Sequence, residues 1–159
     1  MSDKRYHVFI STTEADMHAE QVVLSQTLVS QGFFSWGLEQ RTPLTTAFAR
    51  RQIDDCDYFI LMLGSRYGEL SASGVSYMHL EYIYAVTKQK PILVLMYEAP
   101  ETRSEQFQDK TPEGKVKFLD FRRQLQRERD TVMTFRDLRD LEIAIRHTRQ
   151  QFLSRYPAQ

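Results

Sequence analysis

The chain has 159 residues, and 21 Lys+Arg balance 21 Asp+Glu to a formal net charge of zero. That balance argues against a dedicated nucleic-acid binder, which carries a basic excess, and against an acidic disordered chain. Cys56 is the one cysteine, so no internal disulfide or multi-cysteine metal site can form. No secretory leader and no apolar run of about 20 residues is present, so we expect a single soluble, cytoplasmic domain over residues 1–159.

Tyr6-His-Val-Phe-Ile-Ser11 has the length and the aromatic and β-branched content of a buried strand. Thr13 and Asp16 are spaced as a capping box, with Asp in place of Glu or Gln. They open a helix to about Ser30, with Met17, Leu24 and Leu28 on one face and Gly32 at its end. Phe33–Trp36 reads as a second strand continuing towards Glu39, and Thr46–Asp55 as a short helix. Tyr58–Leu63 is six apolar residues in a row, the pattern of a strand buried on both faces. A polar, glycine-rich loop over 64–75 leads to a helix from Tyr77 to Lys88, with Ser76 as N-cap. Pro91 opens a fourth strand, Ile92–Met96, and residues 98–111 read as a surface loop. Pro112 stands at the first position of a helix to about Arg129. Thr131–Phe135 is a short fifth strand, and Asp137–Ser154 a last amphipathic helix.

Five strand–helix units predict an α/β protein: a parallel sheet with helices on both faces. The expected fold is a flavodoxin-like three-layer sandwich with strand order 2-1-3-4-5. Ligands of such sheets bind beyond the carboxyl ends of the strands, where the order reverses. The reversal lies between strands one and three. Ser11 and Thr12 end strand one, with Asp16 just after; Glu39 lies near the end of strand two; Arg66 and Tyr67 follow strand three. Ser76, Tyr77 and Glu81 open the next helix. Glu81 falls at the edge of an apolar arc formed by Leu80, Ile83, Tyr84 and Thr87. The helix N-terminus favours its ionised form and burial opposes it. The residues alone leave two roles open: a site carboxylate, or a boundary residue that caps the helix or pairs with Arg66.

Other chemistry-bearing groups have simpler roles. Asp54-Asp55-Cys56-Asp57 falls at the opposite end of the sheet and reads as a helix end and turn around a buried thiol. His7, His18, His79 and His147 share no metal-ligand spacing, so no metal site is expected. Gly64, Gly68 and Gly74 do not form a dinucleotide fingerprint, and there is no P-loop. The arginines between Arg122 and Arg155 alternate with acids, as on solvated helix faces.

Val8-Phe-Ile-Ser-Thr-Thr13 followed by Asp16-Met-His-Ala-Glu20 resembles the opening of a bacterial family of unknown function that typically reads VFISST and then D-x-x-x-E-R. Ile53-Asp-Asp-Cys-Asp57, Gly64-Ser-Arg-Tyr-Gly68, Ser76-Tyr-Met-His-Leu-Glu81-Tyr82 and Lys90-Pro91 resemble its later blocks. Thr12, Glu14 and Gln21 depart from it, standing where serine, an aromatic residue and arginine are common. That family is similar to TIR domains and to nucleoside 2-deoxyribosyltransferases. In both, a glutamate early in the helix after strand three acts on an N-glycosidic bond, and Glu81 is the matching position.

The resemblance implies base removal from NAD or a related nucleotide, bound as substrate with no separate cofactor, in bacterial immune or stress signalling. Glu81 would be catalytic. Ser11 and the amides after it, including Thr12, would hold phosphate or ribose; Arg66 would suit a phosphate, and Tyr67 or Tyr77 a base face. Asp16, Glu39 and Ser76 complete the expected substrate contacts. The alternative is a non-catalytic TIR-like module that self-associates or docks on a partner signalling protein. An enzyme requires Glu81 to face an open pocket beside the Ser11 and Arg66 loops; a module predicts a closed crevice and an apolar patch on a helix face.

Overall fold

A run of apolar residues too long for one-sided burial has to sit in the middle of a layered structure, and Tyr58–Leu63 does. In a computed structural model describing residues 6–37, 42–129 and 132–155, this segment is β3, and all six of its residues are buried. It pairs with β1 (Tyr6–Thr12) on one side and β4 (Ile92–Tyr97) on the other. β2 (Phe33–Trp36) and β5 (Val132–Phe135) form the edges, in the order β2-β1-β3-β4-β5 with every pairing parallel. This is the expected flavodoxin-like α/β architecture.

Alternation along β3 feeds two cores. Phe59, Leu61 and Leu63 face α2 (Thr46–Asp55), α3 (Tyr77–Thr87) and α4 (Pro112–Glu128), meeting Ile53, Met78, Tyr82 and Phe121. Tyr58, Ile60 and Met62 face α1 (Glu14–Ser30) and α5 (Leu138–Arg155), meeting Met17, Leu24, Leu28, Leu141 and Ile145. Each large apolar side chain buried this way contributes about 1.5–3 kcal/mol.

Two local expectations change. Thr13 is the N-cap of α1, but its hydroxyl accepts no backbone N–H; it donates to the Asp16 carboxylate instead. Asp16 turns away from the helix end because the Ser65 N–H donates to it from across the sheet edge, at 2.9 Å. The helix is kinked next door, at Met17. Residues 98–111 are more ordered than a plain surface loop: 3₁₀ turns form at Pro100–Thr102 and Glu105–Phe107, and Asp109 is buried. Ser76 and Thr111 cap α3 and α4, each accepting a backbone N–H three residues on. No helix of the described residues is long and apolar enough to cross a membrane.

Candidate functional site

Ser11 and Thr12 are consecutive on β1, so their side chains point to opposite faces of the sheet. Ser11 is fully buried, and its hydroxyl donates to Glu81 Oε1 at 2.7 Å. Ser76 fixes the start of α3 through its cap, and this places Glu81 over the end of β1 near the strand-order reversal. Glu81 is 6% exposed. It contributes to the wall of a shallow, solvent-open cleft between α2 and α3. Thr45, Thr46, Ala49, Arg50 and Ile53 form one wall; Tyr77, Leu80, Glu81 and Tyr84 form the other. The Tyr84 hydroxyl donates to both oxygens of Asp54, at 2.8 and 3.0 Å, which ties the two helices together beside the cleft.

Thr12 donates across the sheet to the Met62 carbonyl at 2.7 Å. Asp16, 2% exposed, accepts from Thr13 and from the Ser65 amide. Burial raises the Asp16 carboxyl above its usual range, opposed by these hydrogen bonds and by the nearby Arg103 guanidinium. A Cβ at Gly64 would run into Met17 Sδ and lie 2.6 Å from Asp16 Oδ2, so any side chain there would have to displace these two groups. Arg103 donates to the Asp16 carbonyl at 2.7 Å, pairs with Glu20 at 3.3 Å and lies over the rings of Tyr97 and Phe107. Ser65 donates to the Phe107 carbonyl at 2.6 Å. Asp109 accepts from the amides of Tyr67 (2.8 Å) and Gly68 (3.4 Å), and burial raises its carboxyl too. These bonds fasten residues 103–109 to the loop after β3 and to the start of α1.

The structure therefore brings Glu81, Ser11 and Tyr77 to one place and sends the other sequence-derived candidates elsewhere. Thr12 is bonded to β3, and Asp16 ties the start of α1 to the loop after β3. Ser76 is a fully buried helix cap. Arg66 lies beside Asp109 and is absent from the cleft lining. Tyr67, expected to offer its face to a base, is 4% exposed: its ring packs edge-on against Phe121, and its hydroxyl lies 2.7 Å from His79 Nδ1. The same packing holds His79, stacked on Phe121, while His18 is exposed. Glu39 falls outside the described residues.

The α2 wall was missed from sequence. Its signal was present in the i,i+4 pair Ala49 and Ile53, whose face also carries Thr45, Thr46 and Arg50. Asp109 had no such signal, since nothing around it is periodic.

The chain belongs to DUF4062, a family described as a domain of unknown function, whose model matches residues 7–150. No curated protein matches it in sequence. Among solved structures, the CMP N-glycosidase BcmB of Clostridium botulinum superposes with a TM-score of 0.55 at 15% identity, covering 89% of this chain and 98% of that one. The TIR domains of the activated Roq1 resistosome, which directly recognises the pathogen effector XopQ, match with a TM-score of 0.45 at 15% identity, covering 91% and 84%. At 15% identity, the likeness to BcmB is one of fold.

Proposed function

We propose that the protein cleaves the N-glycosidic bond of a nucleotide, with Glu81 as the carboxylate at the reacting ribose. The observation that carries this reading is the Ser11–Glu81 hydrogen bond on the wall of a solvent-open cleft. A carboxylate in such a place is costly unless it is held and used. The shared fold with a CMP N-glycosidase supports the same reading.

The chemistry asks little of the protein. The C1′–N bond breaks with its electron pair going to the base, and positive charge develops at C1′ and the ring oxygen. Glu81 stabilises that charge or forms a glycosyl ester, as retaining glycosidases do. Water then adds to C1′, and its proton ends on the departed base. Ser11 touches no substrate atom in this scheme: its hydroxyl is committed to Glu81 Oε1 and sets the carboxylate's direction. Tyr77 in the cleft wall would offer ring surface for a base; the Tyr84 ring is occupied by the Arg50 and Lys88 side chains.

Chromatography of freed base from a panel of nucleosides, nucleotides and NAD tests the proposal, comparing wild type with Glu81→Gln. Base release by wild type and its loss in a folded variant is the expected result. Equal release by both overturns it.

One observation favours a second reading, an interaction module. Leu44 is 92% exposed and Phe48 more than half exposed, on the turn and helix that also form the cleft's α2 wall. If this patch is the functional feature, Leu44→Glu abolishes self-association or partner binding while Glu81→Gln does not.

A further inference from the structure

Resting on the glycosidase reading, we infer that Tyr67 and His79 are positioning residues for Glu81: they pin the first turns of α3 on the side away from the carboxylate, and so hold Glu81 against Ser11. Neither lines the cleft. Their part is to fix the rotation of a helix.

Apolar burial alone does not aim α3. Met78, Tyr82 and Ala85 bury their side chains in the core on this face of the sheet, and burial of this kind has no direction of its own. It keeps the helix down but leaves small rotations about its axis cheap. A rotation of about 10° carries an atom roughly 5–6 Å from the axis through about 1 Å. That is enough to break a hydrogen bond such as the one from Ser11 to Glu81 Oε1, at 2.7 Å. A shift of this size at reacting groups can cost roughly a hundredfold in rate.

Directional contacts remove that freedom, and they fall on two flanks. Residues two apart on a helix project about 200° from each other, so Glu81 and His79 leave α3 on nearly opposite sides. On the Glu81 flank, the Ser11 hydroxyl donates to the carboxylate and lies 3.5 Å from the Met78 carbonyl. On the other flank, the His79 ring stacks on Phe121 of α4, with centroids 4.1 Å apart and planes at 25°. Its Nδ1 lies 2.7 Å from the Tyr67 hydroxyl. Burial lowers the His79 pKa, so the ring is neutral at pH 7; Nδ1 accepts the Tyr67 proton when Nε2 carries the ring's own. The His79 amide donates to the Ser76 cap at 3.2 Å, which joins the pinned ring to the start of the helix.

The pin is itself fixed. Tyr67 is 4% exposed, its amide donates to Asp109 at 2.8 Å, and its ring meets Phe121 and His79 edge-on. Two apolar residues would fill the same space without the desolvation cost of a hydroxyl and an imidazole; what the polar pair adds is direction.

Tyr67→Phe tests this with the least disturbance, because the ring stays and only the hydroxyl goes. Base release is measured for wild type, Tyr67→Phe, His79→Leu and His79→Asn, whose amide oxygen stands near the place of Nδ1. Thr12→Val is the control for a buried hydrogen bond lost away from α3. We expect kcat to fall about tenfold in Tyr67→Phe and His79→Leu with KM little changed, since a mis-aimed carboxylate still admits substrate. His79→Asn should recover part of the loss, and Thr12→Val should keep kcat. In parallel, NMR of protein isotope-labelled at the glutamate carboxyl carbons reads the surroundings of Glu81 without any substrate, its resonance assigned by its loss in Glu81→Gln. That resonance should move in Tyr67→Phe and stay in Thr12→Val. A kcat per folded molecule that Tyr67→Phe leaves unchanged, or lowers no more than Thr12→Val does, overturns the inference and leaves the glycosidase reading standing. If no nucleotide releases its base, the glycosidase reading falls, and the resonance alone decides: a Glu81 signal that moves in Tyr67→Phe supports the pinning, and one that does not overturns it.

Discussion

Two buried carboxylates stand at the same edge of the sheet, and they have opposite fates. Glu81 is reached from Ser11 and Asp16 lies just beyond Thr12, so the one-residue alternation of β1 separates them. On the Asp16 side, the Ser65 amide, the Thr13 hydroxyl and Arg103 converge, and residues 103–109 fold over the group. On the Glu81 side, α2 and α3 stand apart enough to leave a cleft. The difference teaches that a buried acid at the switch point is not in itself a site. The Asp16 carboxylate ties the loop after β3 to the start of α1 under cover of residues 103–109, whereas Glu81 lines a cleft open to solvent.

The contrast is broken most sharply by Glu81→Gln. The amide keeps the volume and can still accept from Ser11, so the melting temperature should stay within a degree or two. Turnover should fall by about 10²–10³, the usual cost of removing one preorganised electrostatic group. Asp16→Ala should do the reverse. It leaves the buried Ser65 amide without its acceptor and Arg103 without the neighbouring charge, at a cost of about 1–3 kcal/mol in urea unfolding. Per folded molecule, KM and kcat should change far less than in Glu81→Gln. An Asp16→Ala protein that is fully stable but inactive would erase the distinction between the two sides.

The parts of this arrangement that were legible in the sequence share a cause. Tyr58–Leu63 and Ile92–Met96 declare themselves because a strand buried on both faces needs only apolar residues, whatever its neighbours are. Glu81 could be placed at the ligand edge because strand order and helix register are periodic properties. What stayed hidden depended on partners distant in sequence. Thr13 and Asp16 have the spacing of a capping box, and only the Ser65 amide, 49 residues further on, turns the carboxylate elsewhere. Tyr67 looks like a stacking ring until α4 brings Phe121 against it. The cleft exists only because α2 and α3 face each other, so no single segment could announce it.

Ser11→Ala sharpens the comparison at a smaller scale. Removing the hydroxyl takes one donor from Glu81 Oε1 and leaves the carboxylate's charge in place. We expect kcat to fall about tenfold with KM little changed, and stability to fall by about 1 kcal/mol, as for one net hydrogen bond. Thr12→Val, one residue along, removes the bond to the Met62 carbonyl. It should cost a similar amount of stability without the loss in kcat. Steady-state kinetics beside urea unfolding on both variants checks whether the two faces of β1 divide the work in this way.

The smallest effect concerns α3 itself, which carries His79 towards α4 while it carries Glu81 towards the cleft. Burial lowers the His79 pKa below its usual 6.5, against a weaker opposing pull from Glu128. The folded protein therefore holds the ring neutral at a pH where the unfolded chain already takes up a proton. By linkage, this contribution to stability is complete above about pH 6.5 and is lost as pH falls through the lowered folded value. Asp16 and Asp109 act with the opposite sign: their raised values favour the folded state in acid, and that contribution fades as pH rises from about 3.8 through those values. The effects have opposite signs, so the informative quantity is a difference between proteins. Urea unfolding of wild type and His79→Gln between pH 8 and pH 5 should give curves that converge as pH falls. The variant starts lower, because it lacks the Phe121 stack and the Tyr67 contact, but it has no imidazole to protonate. Curves that stay parallel across that range would mean that His79 titrates alike in both states, and that α4 leaves it open to water.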